Sequence, residues 1–311
     1  MSALVARGLV RMATLDEVLH ALRAHDCRVL VLKGGVSSCS DMLLRDCEDI
    51  DLLVAREDLD TALGVLGSLG YLPTMEVRTS SRGSFLRHSG ETPFHCPGRA
   101  PIDLHWEFLP RWGSYRPDMD GVWDRARVVR VEGREIPTLS PEDALLHLSV
   151  HGGWSLWRRR LWVEDVADLL RAHPGLDGPA VEALARGTGT LRLLAVGLLL
   201  ARTLEGAVPP RGLSPEVLGD GEAIALADGY ASVLEHRAEG PTGPIQEVAQ
   251  LLHQRERVID RVRMISGLLG TPRRAEWARP LRPAPVRWMR RGLRALRHLA
   301  ARGAMPAETA A

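Results

Sequence analysis

The hydrophobic pattern of the chain changes at Ser140, and this change constrains the fold more than any other feature. Before it, short apolar runs that suit strands alternate with segments of helical spacing; after it, only helical patterns follow, separated by Gly- and Pro-rich breaks. Alternating strands and helices are typical of an α/β domain. We therefore predict an α/β (α+β) domain with a mixed sheet over residues 1–139, an all-helical domain over residues 140–278, and a basic amphipathic helix and tail over residues 279–311.

The first domain contains segments of both kinds. Strands are predicted at residues 28–32, 48–54, 71–77, 84–88 and 102–108, with a hairpin over residues 127–139. Helices are predicted over residues 14–25, 36–44 and 57–69. The helical domain is predicted to begin at Ser140, because a serine cap, Pro141 at the first helical position and acidic residues in the first turn are typical of a helix start.

The composition excludes several classes of protein. With 45% hydrophobic and 25% charged residues, the 311-residue chain has the composition of a globular protein rather than a disordered one. A net charge of +1 gives the chain no overall electrostatic field that would attract nucleic acid. Four cysteines without a zinc-binding spacing fit a reducing cytoplasm, and we expect neither a membrane span nor a signal peptide.

Asp49 and Asp51 are the strongest chemical signal in the sequence. On a strand, residues two apart point to the same side, so the two carboxylates would lie together while Ile50 points to the other side. Two neighbouring anions repel each other unless a cation lies between them, and carboxylate oxygens are the ligands that Mg²⁺ prefers. An exposed pair of aspartates at a strand end is the alternative interpretation.

A glycine turn precedes this strand. Lys33-Gly34-Gly35 ends an apolar run, and the helix predicted after it has Ser37 and Ser38 in its first turn. Glycines let the backbone approach a phosphate, and a helix N-terminus directs its N–H groups at an anion. A plain strand-to-helix turn would explain the glycines as well. Lys33 is the only lysine of the chain.

A third carboxylate lies on a separate predicted strand. The alternation in residues 101–106 places Asp103 and His105 on one side of that strand. Asp103 is therefore available beside the aspartate pair.

These motifs together resemble the bacterial uncharacterised nucleotidyltransferase family, within the polymerase-β-like nucleotidyltransferase superfamily. The resemblance covers about residues 14–170 and depends on Lys33-Gly34, Arg45, and the motifs at 49–54, 70–71, 102–106, 139–142 and 147–152. It implies a polymerase-β-like catalytic domain and metal-dependent transfer chemistry. The sequence departs from the superfamily pattern at Val36, which follows the two glycines where a serine is usual. The sequence therefore does not decide which of Ser37 and Ser38 would contact phosphate.

By this resemblance, the protein transfers a nucleoside monophosphate from an NTP, ATP for example, to a hydroxyl group of a small molecule or peptide and releases pyrophosphate. Asp49 and Asp51 would hold Mg²⁺ or Mn²⁺, and Asp103 would share a second ion and accept the proton of the hydroxyl. The implied nucleotide-binding residues are Lys33, Gly34, Gly35, Ser37, Ser38 and Arg45. Transfer of the γ-phosphate, and nucleotide binding without turnover, are the competing hypotheses.

Two further features leave alternatives open. His147 and His151 lie four residues apart on a predicted helix, hence on one side, where they could contact phosphate or acceptor as His105 could, bind zinc, or only pack. The arginine-rich helix after residue 279 suits contact with a partner protein, nucleic acid or an anionic membrane surface, or packing on the helical domain with solvated arginines.

Overall fold

A computed structural model describes residues 3–33, 49–238, 240–241, 243–281 and 283–303, with side chains of the last helix described through Leu293. The strands are β1 (Val29–Val31), β2 (Ile50–Val54), β3 (Leu72–Pro73), β4 (Glu91–His95), β5 (Ile102–His105), β6 (Arg127–Val131) and β7 (Arg134–Thr138). The helices are α1 (Ala3–Ala24), α2 (Leu59–Ser68), α3 (Arg82–His88), α4 (Met119–Arg125), α5 (Pro141–Trp154), α6 (Arg160–Ala172), α7 (Gly178–Thr188), α8 (Leu191–Glu205), α9 (Pro215–Gly219), α10 (Gly221–Leu234), α11 (Pro244–His253), α12 (Val258–Gly270) and α13 (Ala284–Gly303). No helix in these ranges is long and apolar enough to cross a membrane.

The strands form one mixed sheet in the order β3-β4-β5-β2-β1-β7-β6. The β1–β7 and β2–β5 pairs are parallel and the other pairs are antiparallel. The predicted α/β architecture with a mixed sheet, followed by helices alone, is confirmed. The central pair β2–β5 carries the predicted aspartates, so the sheet determines how close they lie.

The two sides of the sheet belong to two hydrophobic cores. Ile50, Leu52 and Val54 of β2 pack with residues of α1 and α2. Leu53 points to the opposite side and packs, with Leu30, in the core formed by the helical half. Because side chains alternate along a strand, Asp51 shares the side of Leu53 and faces the helical half.

Helix α5 begins at the predicted cap. The Ser140 hydroxyl accepts a hydrogen bond from the Asp143 backbone N–H (3.1 Å), and Pro141 occupies the first turn. The Asp143 carboxylate also accepts two hydrogen bonds from the Arg125 guanidinium, at 2.8 and 2.9 Å. This bidentate pair fixes the start of α5 against α4.

Three predictions of secondary structure are wrong. Residues 84–88 lie in α3 rather than in a strand, because Phe85 packs edge-on against Trp106 and Trp277, contacts with residues distant along the chain. The first helix begins at Ala3 instead of capping at Thr14, whose buried hydroxyl accepts a hydrogen bond from the Ala100 N–H (3.2 Å). The third is the predicted strand 71–77, of which only β3 forms.

Strand β4 was not predicted from the sequence. Pro93 lies in the middle of this strand. Because proline has no backbone N–H to donate, its presence in the sequence argues against a strand. The predicted helix over residues 36–44 lies outside the described residues.

The segment after α12 returns to the half of the chain that contains the sheet and packs there. Trp277 is buried (3% exposed) and its ring lies 5.3 Å from that of Phe85. The Trp277 carbonyl accepts a hydrogen bond from the Arg78 N–H, and the Arg274 guanidinium donates to the Thr74 hydroxyl. One tryptophan therefore ties the C-terminal segment to the sheet domain.

We predict that Trp277→Ala lowers the free energy of unfolding by about 3–5 kcal/mol, the usual cost of removing a fully buried tryptophan. Trp288→Ala is the matched control, because that ring is 41% exposed, and it should cost about 1 kcal/mol. Urea denaturation followed by circular dichroism measures both. Equal losses in the two variants would contradict the anchoring role of Trp277.

Candidate active site

The sheet register brings Asp51 and Asp103 side by side. Asp51 of β2 pairs directly with Asp103 of the parallel strand β5, and His105 lies two residues further along β5 on the same side. One oxygen or nitrogen atom of each of these three side chains lies within 4.8 Å of the others. The alternation predicted on two separate strands therefore produces one polar cluster facing the helical half.

Lys33 lies at the centre of this cluster. Its ammonium group is 2.8 Å from Asp51 Oδ1 and donates a hydrogen bond to His151 Nε2 at 3.1 Å. His105 Nε2 donates to the same Asp51 oxygen at 3.1 Å. A carboxylate only accepts and an ammonium only donates, so the Lys33 contact places the His151 proton on Nδ1. The Asp51 oxygen thus has two donors.

Burial and these contacts shift the pKa values of the cluster. For Asp51, burial favours the protonated form, but Lys33 and His105 together outweigh it and hold its pKa well below the usual range. Burial and the carboxylates of Asp51 and Asp49 raise the pKa of Asp103 to about 6. Asp51 therefore keeps its charge with the help of Lys33 and His105, whereas for Asp103 burial and the neighbouring carboxylates outweigh the opposing effect of His105.

Glu91 joins the cluster although the sequence did not indicate it. Its Oε2 lies 3.1 Å from His105 Nδ1, and its charge raises the pKa of His105, although burial opposes the shift. Glu91 was missed because it begins β4, the strand obscured by Pro93. The only signal was the alternation over residues 91–95, with Thr and Phe on the buried side.

The two α5 histidines have different surroundings. His151 touches the cluster through Lys33, and burial lowers its pKa well below the usual value, which keeps it neutral and able to accept. His147 is 2% exposed, packs on Phe108 with ring centroids 4.9 Å apart, and has no hydrogen-bond partner at either ring nitrogen among the described residues. Burial lowers the pKa of His147 to about 3. The one potential metal-binding group in the described parts of the chain contains neither histidine.

The remaining predicted site residues divide into two sets. Asp49 directly precedes β2, and burial and the charge of Asp51 raise its pKa, so it lies within electrostatic range of the cluster. Five predicted nucleotide-binding residues lie outside the described residues, namely Gly34, Gly35, Ser37, Ser38 and Arg45. Of the predicted site residues, Lys33, Asp49, Asp51, Asp103 and His105 therefore lie in the described cluster, to which the structure adds Glu91.

The donor set of the cluster suits a divalent cation. Asp51 and Asp103 offer carboxylate oxygens within one coordination distance of each other, and oxygen ligands suit Mg²⁺ and Mn²⁺. His105 Nε2 donates its proton to Asp51, so it cannot ligate a metal through that nitrogen while the bond is made. The carboxylates are the fitting ligands, and His105 orients one of them.

A mixed sheet thus brings two strand carboxylates and a lysine together beneath a helical half. The family model described as "Uncharacterised nucleotidyltransferase" matches residues 2–206. The chain therefore belongs to this nucleotidyltransferase family and is an enzyme of that class. Among curated protein sequences, none matches the chain.

Several solved structures are similar at low identity. The lincosamide antibiotic adenylyltransferase LnuA, solved with lincomycin bound, is 18% identical, with 50% of this chain and 94% of that chain covered and a TM-score of 0.36. The antibiotic-resistance factor ANT(2'')-Ia is 14% identical, with 56% and 89% covered and a TM-score of 0.37. A nucleotidyltransferase-like protein from Paracoccidioides brasiliensis is 16% identical, with 58% and 91% covered and a TM-score of 0.34. The family match carries the assignment.

We predict that Lys33→Met lowers the free energy of unfolding of the metal-free protein by about 3–5 kcal/mol, because it leaves the buried Asp51 carboxylate without its cation. The side chains of Lys33 and Asp51 are only 16% and 6% exposed, so water cannot replace the ammonium. Adding Asp51→Asn to Lys33→Met should recover most of that loss. Urea denaturation of both single variants and the double variant at pH 7 measures the coupling, and strictly additive losses would contradict the buried ion pair.

Proposed function

We propose that this nucleotidyltransferase transfers a nucleoside monophosphate from an NTP to a hydroxyl group of a small molecule or peptide and releases pyrophosphate. The observation that carries the proposal is the side-by-side pairing of Asp51 and Asp103 on adjacent strands, with the Lys33 ammonium at 2.8 Å from Asp51. Family membership supports the reaction class. The acceptor and the preferred base are left to experiment.

In this proposal Asp49, Asp51 and Asp103 hold the divalent cation, Mg²⁺ or Mn²⁺. Bound there, the cation would offset charge on the triphosphate and lower the pKa of the acceptor hydroxyl. Asp103 accepts the hydroxyl proton as the oxygen attacks the α-phosphorus, because its carboxylate lies directly beside Asp51 on the neighbouring strand. The bond from the α-phosphorus to the bridging oxygen breaks, and pyrophosphate leaves with its electron pair.

Lys33 binds phosphate in this proposal. An ammonium has three N–H donors, of which Asp51 and His151 take two, so one donor is left for a phosphate oxygen of the substrate. Gly34, Gly35, Ser37, Ser38 and Arg45 would complete the nucleotide site by the family pattern. His105 orients Asp51, and His151 orients Lys33.

We also propose that the enzyme works in the cytoplasm, on the basis of its cysteine usage. Cys27 and Cys96, the described cysteines, are both free thiols. A reducing compartment keeps thiols in this state.

The site of attack is decided by parallel incubations with α-labelled and γ-labelled ATP, Mg²⁺ and an acceptor panel containing hydroxyl-bearing metabolites and peptides. We expect label to reach the acceptor only from the α position, with pyrophosphate as the second product. Asp51→Asn and Asp103→Asn should each reduce the rate by about 10²–10⁴-fold, because each removes a carboxylate from the reacting centre.

Asp228→Asn is the matched control for this experiment, because that aspartate is exposed on α10, away from the sheet, and should leave the rate unchanged. Label transferred from the γ position alone, and abolished by Asp51→Asn, would show that the site is right and the reaction is a phosphotransfer. Absence of transfer from either position across the panel would favour an accessory protein that binds nucleotide without turnover.

The His151 contact gives a separate prediction. His151→Leu removes the acceptor that orients the Lys33 ammonium, so the KM for MgATP should rise about tenfold, the effect of one hydrogen bond to a charged group. His151→Gln offers an amide oxygen to the same ammonium and should recover part of the loss. Steady-state kinetics separates KM from kcat. A KM for MgATP in both variants equal to that of the wild type would remove His151 from the nucleotide site.

A further inference from the structure

A cavity of about 410 Å³ lies between the C-terminal helix α13 and the segment that precedes it. This volume falls in the range of small-molecule pockets, about 300–1,000 Å³. Its lining is dominated by guanidinium groups and consists of Glu276, Arg279, Pro280, Leu281, Arg287, Arg290 and Arg291. Among the described residues, four arginines and a single carboxylate thus line the cavity.

That carboxylate is already engaged. Glu276 Oε2 accepts hydrogen bonds from Arg291 Nη2 and from the Arg273 backbone N–H (2.5 and 2.7 Å). The other terminal nitrogen of Arg291 donates to the carbonyls of Leu268, Leu269 and Thr271. Arg291 is buried and Glu276 is half-buried, so together they form a neutral, fixed floor for the cavity.

The other arginines place positive charges along the cavity. Arg287 Nε donates to the Gly270 carbonyl, which fixes the start of that side chain. Arg279 and Arg290 are exposed, and their guanidinium groups make none of the hydrogen bonds or ion pairs found among the described residues. Like charges around one cavity repel each other, and a multiply charged anion between them would remove that repulsion.

The geometry points to a second binding site, one that takes a phosphate group carrying two or more negative charges. We propose that Arg279, Arg287 and Arg290 hold its oxygens. Guanidinium groups match phosphate oxygens with paired N–H donors, and several of them around one group give the specificity that a single lysine does not. None of the described residues of the candidate active site lines this cavity.

Two sources could supply such a phosphate group. A free anion such as pyrophosphate would fit the cavity by charge alone. A phosphate-monoester lipid headgroup would in addition place its membrane against Met289 and Leu293, apolar residues of α13 that flank Arg290 and are 60% and 50% exposed. The same guanidinium groups would bind in either case, and the experiment separates the two.

The test compares the full-length protein, Arg279→Gln/Arg290→Gln and the control Arg202→Gln/Arg211→Gln, which removes two exposed arginines elsewhere. Calorimetry with inorganic pyrophosphate is run in EDTA, so that no metal supports binding at the nucleotide site. Vesicles of phosphatidylcholine with and without phosphatidic acid are then used in a sedimentation assay. The cavity variant should bind at least about tenfold more weakly, because it loses two charge-assisted donors.

Pyrophosphate binding that is lost only in the cavity variant would support a site for free phosphate compounds. Sedimentation with phosphatidic acid vesicles that is lost only in that variant would support the lipid headgroup. Equal binding by all three proteins, or no binding of either probe by the wild type, would overturn the proposal. Label transfer from ATP, measured on the same cavity variant, should stay at the wild-type rate, so a failure of this site is distinguishable from a failure of the proposed reaction.

Discussion

The buried ion pair between Lys33 and Asp51 is the interaction on which the site depends. Register forces Asp51 and Asp103 next to each other on parallel strands, and the helical half then covers them. The buried Asp51 carboxylate beside the half-buried Asp103 carboxylate is unstable without a positive charge, because burial of an unpaired ion in a low-dielectric interior costs several kcal/mol. Lys33 supplies that charge to Asp51 at 2.8 Å, whereas no lysine or arginine among the described residues pairs with Asp103, whose pKa rises.

The arrangement of the sheet explains why the charges converge on this side. Leu30 and Leu53 point into the core of the helical half, and the alternation of the strands puts Asp51 on that same side. Helix α5 packs in the same core, and the Arg125–Asp143 pair fixes its start. It brings His151 to Lys33, so the helical half contributes to the cluster instead of only covering it. Exclusion of water by this cover strengthens every electrostatic interaction inside the site.

Much of the fold and of the candidate site could be predicted from the sequence, because it depends on local patterns. The parts that depend on contacts between distant residues could not be predicted. Alternation and capping are local, so the common side of Asp51 and Asp103 and the start of α5 at Ser140 followed from the residues themselves. The helix that contains Phe85 did not, because its packing partner Trp277 lies far along the chain. Glu91 was missed because the proline in its strand argued against a strand there. The sequence indicated no partner for Lys33, because strand register and helix packing together decide which charges meet.

The choice of lysine at position 33, in a chain whose other strongly basic residues are all arginine, follows from this geometry. The ammonium fits between a carboxylate at 2.8 Å and an imidazole nitrogen at 3.1 Å, a space that suits one compact cation with three donors. A guanidinium is planar and larger, and its paired donors favour a bidentate partner, as Arg125 has in Asp143. Arginine fits where one carboxylate is to be held. Lysine fits where a single charge neutralises a buried aspartate, contacts a neutral histidine and keeps a third donor for a phosphate oxygen.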